Sequence, residues 1–128
     1  MKQRFDATQG LIFVPVKISG PGGTAKLLLA LDTGATSTLI APFHLEAIGY
    51  DLGLGQDRVQ VTTGSGVEFV VRLRVARISA LGRSRRNFPV LGHTLPPSAT
   101  VDGLLGLDFF RRCRLEIDFR RGSIQLAA

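Results

Sequence analysis

The stretch Ala30-Leu31-Asp32-Thr33-Gly34-Ala35-Thr36-Ser37 decides the fold. It closes a near-continuous apolar run over residues 26–31, the pattern of a strand buried on both faces. That run stops abruptly on a carboxylate. An isolated carboxylate cannot stay charged in apolar surroundings, so Asp32 needs a reason to be there. One reason is structural: an Asx turn ends the strand, with Asp32 bonding its own following amides. The other is chemical. Gly34 permits close backbone approach, and the Thr33 hydroxyl can lock a loop that presents Asp32. The tripeptide alone does not separate the two.

Two further segments bear on the choice. About thirty residues on, strand-like residues 58–63 and 67–79 flank Thr63-Gly64-Ser65-Gly66, a β-hairpin signal. Near the C-terminus stands Val101-Asp102-Gly103-Leu104-Leu105-Gly106-Leu107-Asp108-Phe109-Phe110. Its apolar pair followed by Gly106 puts a glycine where another backbone passes closely. Taken singly, the first is an ordinary surface hairpin and the second a core helix. Their order and spacing behind Asp32 make the set specific.

The rest of the chain reads mostly with period two. Residues 11–19 place Ile12, Val14, Val16 and Ile18 on one face. Residues 19–23 are a loop, 37–40 a short strand, and 42–48 a short helix with Pro42 in its first turn. Val67, Phe69, Val71, Leu73 and Val75 share one face of the second hairpin arm, and residues 87–91 form a further strand. Asp102 suits the N-cap of a helix over residues 103–112, with Arg111 and Arg112 at its C-terminal end. Residues 113–119 alternate, with Cys113, Leu115, Ile117 and Phe119 inward, and residues 123–126 close the chain as a strand. The sum is an all-β domain of about eight or nine short strands with one or two helices.

Length and composition bound the function. With 128 residues, one domain spanning 1–128 is expected and a two-lobed enzyme is excluded. Such a chain buries roughly two-thirds of its unfolded surface. One cysteine, Cys113, allows no internal disulfide, and with only His44 and His93 beside it a four-ligand zinc site fails. No metal or other cofactor is expected. The net charge is +6, and thirteen of the sixteen cations are arginine, spread along the chain. A solvated basic surface accounts for that. A nucleic-acid-binding barrel would interleave aromatics with the arginines, whereas the chain has no Trp and one Tyr. No partner nucleic acid or membrane is expected. Residues 1–10 lack the apolar core of a signal peptide, so the chain reads as cytoplasmic, with a removed N-terminal anchor left open. Neither histidine sits in a serine- or cysteine-hydrolase motif.

Over residues 11–126 the sequence resembles the retropepsin-like aspartic proteases, the single-lobe retroviral type, and its bacterial branch in particular. Residues 30–35 resemble the family's active-site loop, residues 64–66 its flap tip, and Leu104-Leu105-Gly106 the element that crosses behind that loop. The resemblance implies a single lobe folded as a closed all-β barrel with one short C-terminal helix, and an aspartic endopeptidase acting on peptide or protein substrates, with Asp32 catalytic. Thr33 then ties two loops together, and Gly34 with Ala35 completes the loop. Thr63, Gly64, Ser65 and Gly66 form a flap over the substrate. Leu104, Leu105 and Gly106 support the loop.

Hydrolysis of this kind needs two carboxylates sharing one proton. Only one Asp-Thr-Gly is present, so the second Asp32 must come from a second copy in a homodimer. Ala35 replaces the hydroxyl residue usual in two-lobed pepsins and cannot donate to the carboxylate. Losing such a donor raises a carboxylate pKa, which implies activity at higher pH than pepsins. Thr36 and Leu107 stand where retroviral members carry an acid and an arginine that pair, and Ser65 replaces the usual apolar flap residue. The alternative is the same fold used only to bind peptides or proteins, with weak or absent turnover.

Overall fold

The computed structural model describes residues 1–53, 57–64, 66–96 and 99–128. Strands β1 (Lys2–Arg4), β2 (Phe13–Gly20), β3 (Gly23–Leu31) and β4 (Leu39–Ile40) precede helix α1 (Pro42–Ala47). Strands β5 (Asp57–Thr63), β6 (Gly66–Ala80), β7 (Arg83–Gly92) and β8 (Gly103–Leu105) follow. A 3₁₀ helix, Leu107–Phe110, leads into β9 (Arg114–Asp118) and β10 (Ser123–Ala127).

The main sheet has the order β2-β3-β8-β4-β7-β6-β5, and β2 also pairs with β6. That extra pairing closes six strands into a barrel and leaves β5 projecting with β6 as a hairpin. Strands β1, β10 and β9 form a second, three-stranded sheet. β2 follows the alternation of its sequence: Val14, Val16 and Ile18 are buried, with their neighbours outside. The core continues through Leu29, Ile40, Leu45, Val75, Ile78, Leu105, Phe109 and Ile124, all fully buried. Each such side chain stabilises the fold by about 1.5–3 kcal/mol relative to exposure. Strand β6 changes its inward face midway, from Val71, Leu73 and Val75 to Ile78 and Ala80. The rung between Ala76 and Asn87 is missing from the ladder. The freed Ala76 N–H donates to the Tyr50 hydroxyl at 2.8 Å. At the β6–β7 turn Leu81 and Gly82 both take positive φ, 55° and 78°, as a two-residue type I′ hairpin requires.

Several expectations need correction. The helix expected over residues 103–112 is absent. Residues Gly103–Leu105 form β8 instead, parallel to β3 and antiparallel to β4. Insertion between two strands outweighs the local helical pattern, and only the single 3₁₀ turn at Leu107–Phe110 remains. Asp102 is therefore no helix cap. Its carboxylate accepts the Leu28 amide at 2.8 Å and meets His44 Nε2 at 3.0 Å. Nor do Arg111 and Arg112 complement a helix end. Arg85 of β7 does so, donating to the carbonyls of Phe109 and Arg111 at 2.7 and 2.8 Å. β3 is not buried on both faces: Leu28 points out while Leu27 and Leu29 point in. Phe119 lies beyond β9 and is exposed. Val67 and Phe69 are exposed too, because their part of the hairpin projects past the barrel. β1 had no sequence signal, being three polar residues held by pairing with β10. Among the described residues no helix is long and apolar enough to cross a membrane.

Candidate active site

The loop after β3 leaves the barrel at Leu31 and returns as β4, and β8 runs through the gap between them. Most anchors of the loop reach β8 or its flanks, and the Thr38 carbonyl also accepts the Leu91 amide of β7 at 3.0 Å. The Asp32 amide donates to the Leu105 carbonyl at 3.0 Å, and the Leu107 amide donates to the Ala35 carbonyl at 2.8 Å. Within the loop the Gly34 amide donates to Asp32 Oδ1 at 2.9 Å, and the Ala35 amide to the Asp32 carbonyl at 3.2 Å. The Asx turn is thus present. It engages one carboxylate oxygen; Oδ2 accepts no hydrogen bond among the described residues. Asp32 is half-buried, Thr33 is exposed, and the Thr33 hydroxyl has no partner among the described residues.

Gly106 is where β8 passes under the loop. A Cβ there would lie 2.7 Å from the Ser37 carbonyl carbon and 2.9 Å from the Ala35 oxygen, both backbone atoms. Only glycine allows this approach. Leu105 is fully buried behind the loop, and Leu104 faces the cleft described below.

A second brace escaped the sequence reading. Thr38 is the only polar residue classed as buried among the described residues, at 0% exposure. Its amide donates to Asp108 Oδ1 at 3.0 Å, and its hydroxyl donates to the same oxygen at 2.7 Å. The hydroxyl oxygen accepts the Gly106 amide at 3.1 Å. One carboxylate and one hydroxyl therefore join the loop exit to the strand beneath it. The signal was weak: Thr38 closes a run of three hydroxyl residues, Thr36-Ser37-Thr38, just before Leu39 and Ile40, and an aspartate stands two residues after Gly106. No tie of this kind runs through Thr36 or Leu107 side chains among the described residues.

Above the loop lies a cleft of about 600 Å³. Its floor is formed by residues 34–37 with Leu39 and Leu104, and its far wall by the arms of the β5–β6 hairpin, including Val59, Val61 and Val70. Gly34 and Ala35 are on this floor. Gly64 and Gly66 are at the hairpin tip, where Gly66 has φ of 121°, and they do not line the cleft. Ser65 and the side chain of Thr63 lie outside the described residues. Among the described residues two side-chain ion pairs brace the hairpin: Arg72 to Asp57 at 3.1 Å and His93 Nε2 to Glu68 at 2.7 Å. Arg72 and His93 line the cleft, a role the sequence did not reveal. Among the described residues no cluster of His, Cys, Asp and Glu is suited to a metal ion.

The model of one family, described as aspartyl protease, matches residues 14–109. Among solved structures, a retropepsin-like aspartic protease from Rickettsia conorii superposes with a TM-score of 0.71. The match covers 99% of this chain and 91% of that one, at 16% sequence identity. At this identity the likeness establishes the fold. No curated protein matches the chain.

Proposed function

Because the chain belongs to the aspartyl protease family, we propose that it is an endopeptidase whose catalytic unit is a homodimer with two Asp32 carboxylates. One observation carries this reading: Asp32 is pinned by its backbone to β8 while its Oδ2 accepts no hydrogen bond among the described residues. Two and three residues on, Gly34 and Ala35 line the cleft, so the loop that holds Asp32 also borders the space for a substrate.

One Asp32 supplies a base and the other an acid. Two carboxylates close together cannot both ionise, so the pair holds one proton and titrates as a unit. The ionised carboxylate takes a proton from water, and the oxygen attacks the scissile carbonyl carbon. The protonated carboxylate donates to the carbonyl oxygen. Collapse of the tetrahedral species breaks the C–N bond, with a proton passing to the leaving nitrogen. Thr33, exposed and with no hydroxyl partner among the described residues, joins the two loops across the dimer axis. The β5–β6 hairpin, with Thr63, Gly64, Ser65 and Gly66 at its tip, closes over the peptide and excludes water.

Cleavage of a peptide library by the wild type and by Asp32→Asn tests the chemistry, with and without pepstatin. Activity confined to the wild type and blocked by pepstatin is expected; full activity in Asp32→Asn overturns the proposal. Sedimentation at assay concentrations tests the shared site: a strict monomer that still cleaves peptides overturns it.

A further inference from the structure

We propose that the groove between β2, β3 and the β6–β7 turn binds a phosphate group. It lies outside the protease cleft, has a volume of about 510 Å³, and includes Lys17, Lys26, Arg83, Ser79 and Ser84 in its lining. Volumes of this order accommodate small ligands.

The charge arrangement is the first observation. Lys17 and Lys26 are direct cross-strand partners on the outer face of the barrel. Like charges directly opposite destabilise a sheet. Basic residues are often used to guard an exposed strand edge, but neither strand has one here. β2 lies between β3 and β6, and β3 between β2 and β8. No lining residue is acidic. Among the described residues none of Lys17, Lys26 and Arg83 forms an ion pair, although the chain pairs other cations with Asp57 and Asp118. The repulsion is therefore left uncompensated by the protein.

The second observation is the company these cations keep. Lys17 pairs across to Ser79, and Ser79 to Ser84, so Lys26, Lys17, Ser79 and Ser84 form one row over four adjacent strands. At about 4.8 Å per strand the row spans roughly 14 Å. The two serine oxygens are 2.7 Å apart. One hydroxyl donates to the other, which leaves the second proton free for a ligand. Ammonium and hydroxyl donors in one row, with Arg83 at the turn also lining the groove, match a tetrahedral oxyanion through charge-assisted hydrogen bonds. The next row on this face sets Arg77 opposite Arg86, extending the positive potential. No aromatic side chain lines the groove, so it offers no platform for stacked bases.

The test is an amide-resolved NMR titration of the whole chain with pyrophosphate at constant ionic strength. Saturable shifts at Lys17, Lys26, Ser79 and Ser84 are expected, with Kd of about 1 mM or tighter. A Lys17→Met/Lys26→Met double variant, both positions exposed, should bind about tenfold more weakly, a difference of about 1.4 kcal/mol. A second arm compares phosphatidylglycerol with phosphatidylcholine vesicles by co-sedimentation. Retention on phosphatidylglycerol that the double variant loses assigns the phosphate to a lipid headgroup. Saturable pyrophosphate binding without vesicle retention assigns it to a soluble ligand. Neither binding, or binding unchanged in the double variant, overturns the site. None of these readouts depends on peptide cleavage.

Discussion

Replacing Thr38 by valine removes one oxygen atom while keeping the side-chain shape, and it should cost more than its size suggests. The hydroxyl donates to Asp108 at 2.7 Å and accepts from Gly106 at 3.1 Å, at a position with no solvent exposure. A hydrogen bond to a charged group is worth about 1.5–3 kcal/mol net, and a buried donor left without a partner costs about 1–3 kcal/mol. The two losses share one atom and are not fully additive. Asp108 also keeps the Thr38 amide, at 3.0 Å. The expected destabilisation is about 2–4 kcal/mol. Urea unfolding at fixed protein concentration measures it, because an associating chain is stabilised by mass action. The denaturation midpoint should fall with the slope unchanged. A double-mutant cycle with Asp108→Asn should give a coupling of at least about 1 kcal/mol. A loss below about 0.5 kcal/mol, the range of neutral surface changes, would refute the claim that this brace carries the loop.

Other outcomes follow from the same geometry. Gly106→Ala forces a Cβ to within 2.7 Å of the Ser37 backbone. It should abolish peptide cleavage and lower the thermal midpoint, read by calorimetry, whereas an active and stable variant contradicts the close approach. Ala35→Ser adds a donor beside Asp32. A donor to the charged form lowers a carboxylate pKa, so the acidic limb of the pH–rate profile should move to lower pH. At the N-terminus the Thr8 hydroxyl and amide both donate to Asp6 and hold its carboxyl below the usual range. Its small stabilising effect is present above the unfolded-state pKa and lost as pH falls through the folded one. In Thr8→Ala, NMR titration should show the Asp6 midpoint rising.

The barrel was legible where one strand face meets the core. Val14, Val16 and Ile18 declared their alternation, and the burial follows it. Pro42 and Gly49 bracket a helix that forms where they put it. Legibility failed where tertiary pairing overrides local pattern. Residues 103–112 have helical spacing and a capping aspartate, yet Gly103–Leu105 is a strand. The reason lies seventy residues away in sequence, in the gap between β3 and β4. Gly103 was the clue, since a Cβ there would overlap the Leu39 carbonyl. β1 was invisible because three polar residues carry no period and are held only by their partner. At the site, motif order located the loop and the element behind it. It missed Thr38 and Asp108, because a buried hydroxyl–carboxylate pair has no fixed sequence spacing. Of the hairpin, the arms line the cleft within one chain, and closure of the tip over a substrate belongs to the proposed function.

The inserted strand β8 also explains why fold and site are one construction. The three-residue strand carries Leu105, fully buried, and accepts the Asp32 amide through that residue's carbonyl. Gly106 follows it under the loop, and Asp108 follows two residues later to brace Thr38. Loop closure, strand insertion and core burial are thus satisfied by the same short segment. A perturbation there cannot disturb the position of Asp32 without also loosening the barrel. The hairpin differs. It is joined through β6, its outer residues Val67 and Phe69 are exposed, and its ties are pairs with partly exposed side chains. Such exposed pairs are worth about 0–1 kcal/mol each. Rigidity is therefore concentrated around the carboxylate and freedom in the hairpin. In the proposed mechanism that division gives a fixed pair of acids beneath a wall that opens for each substrate.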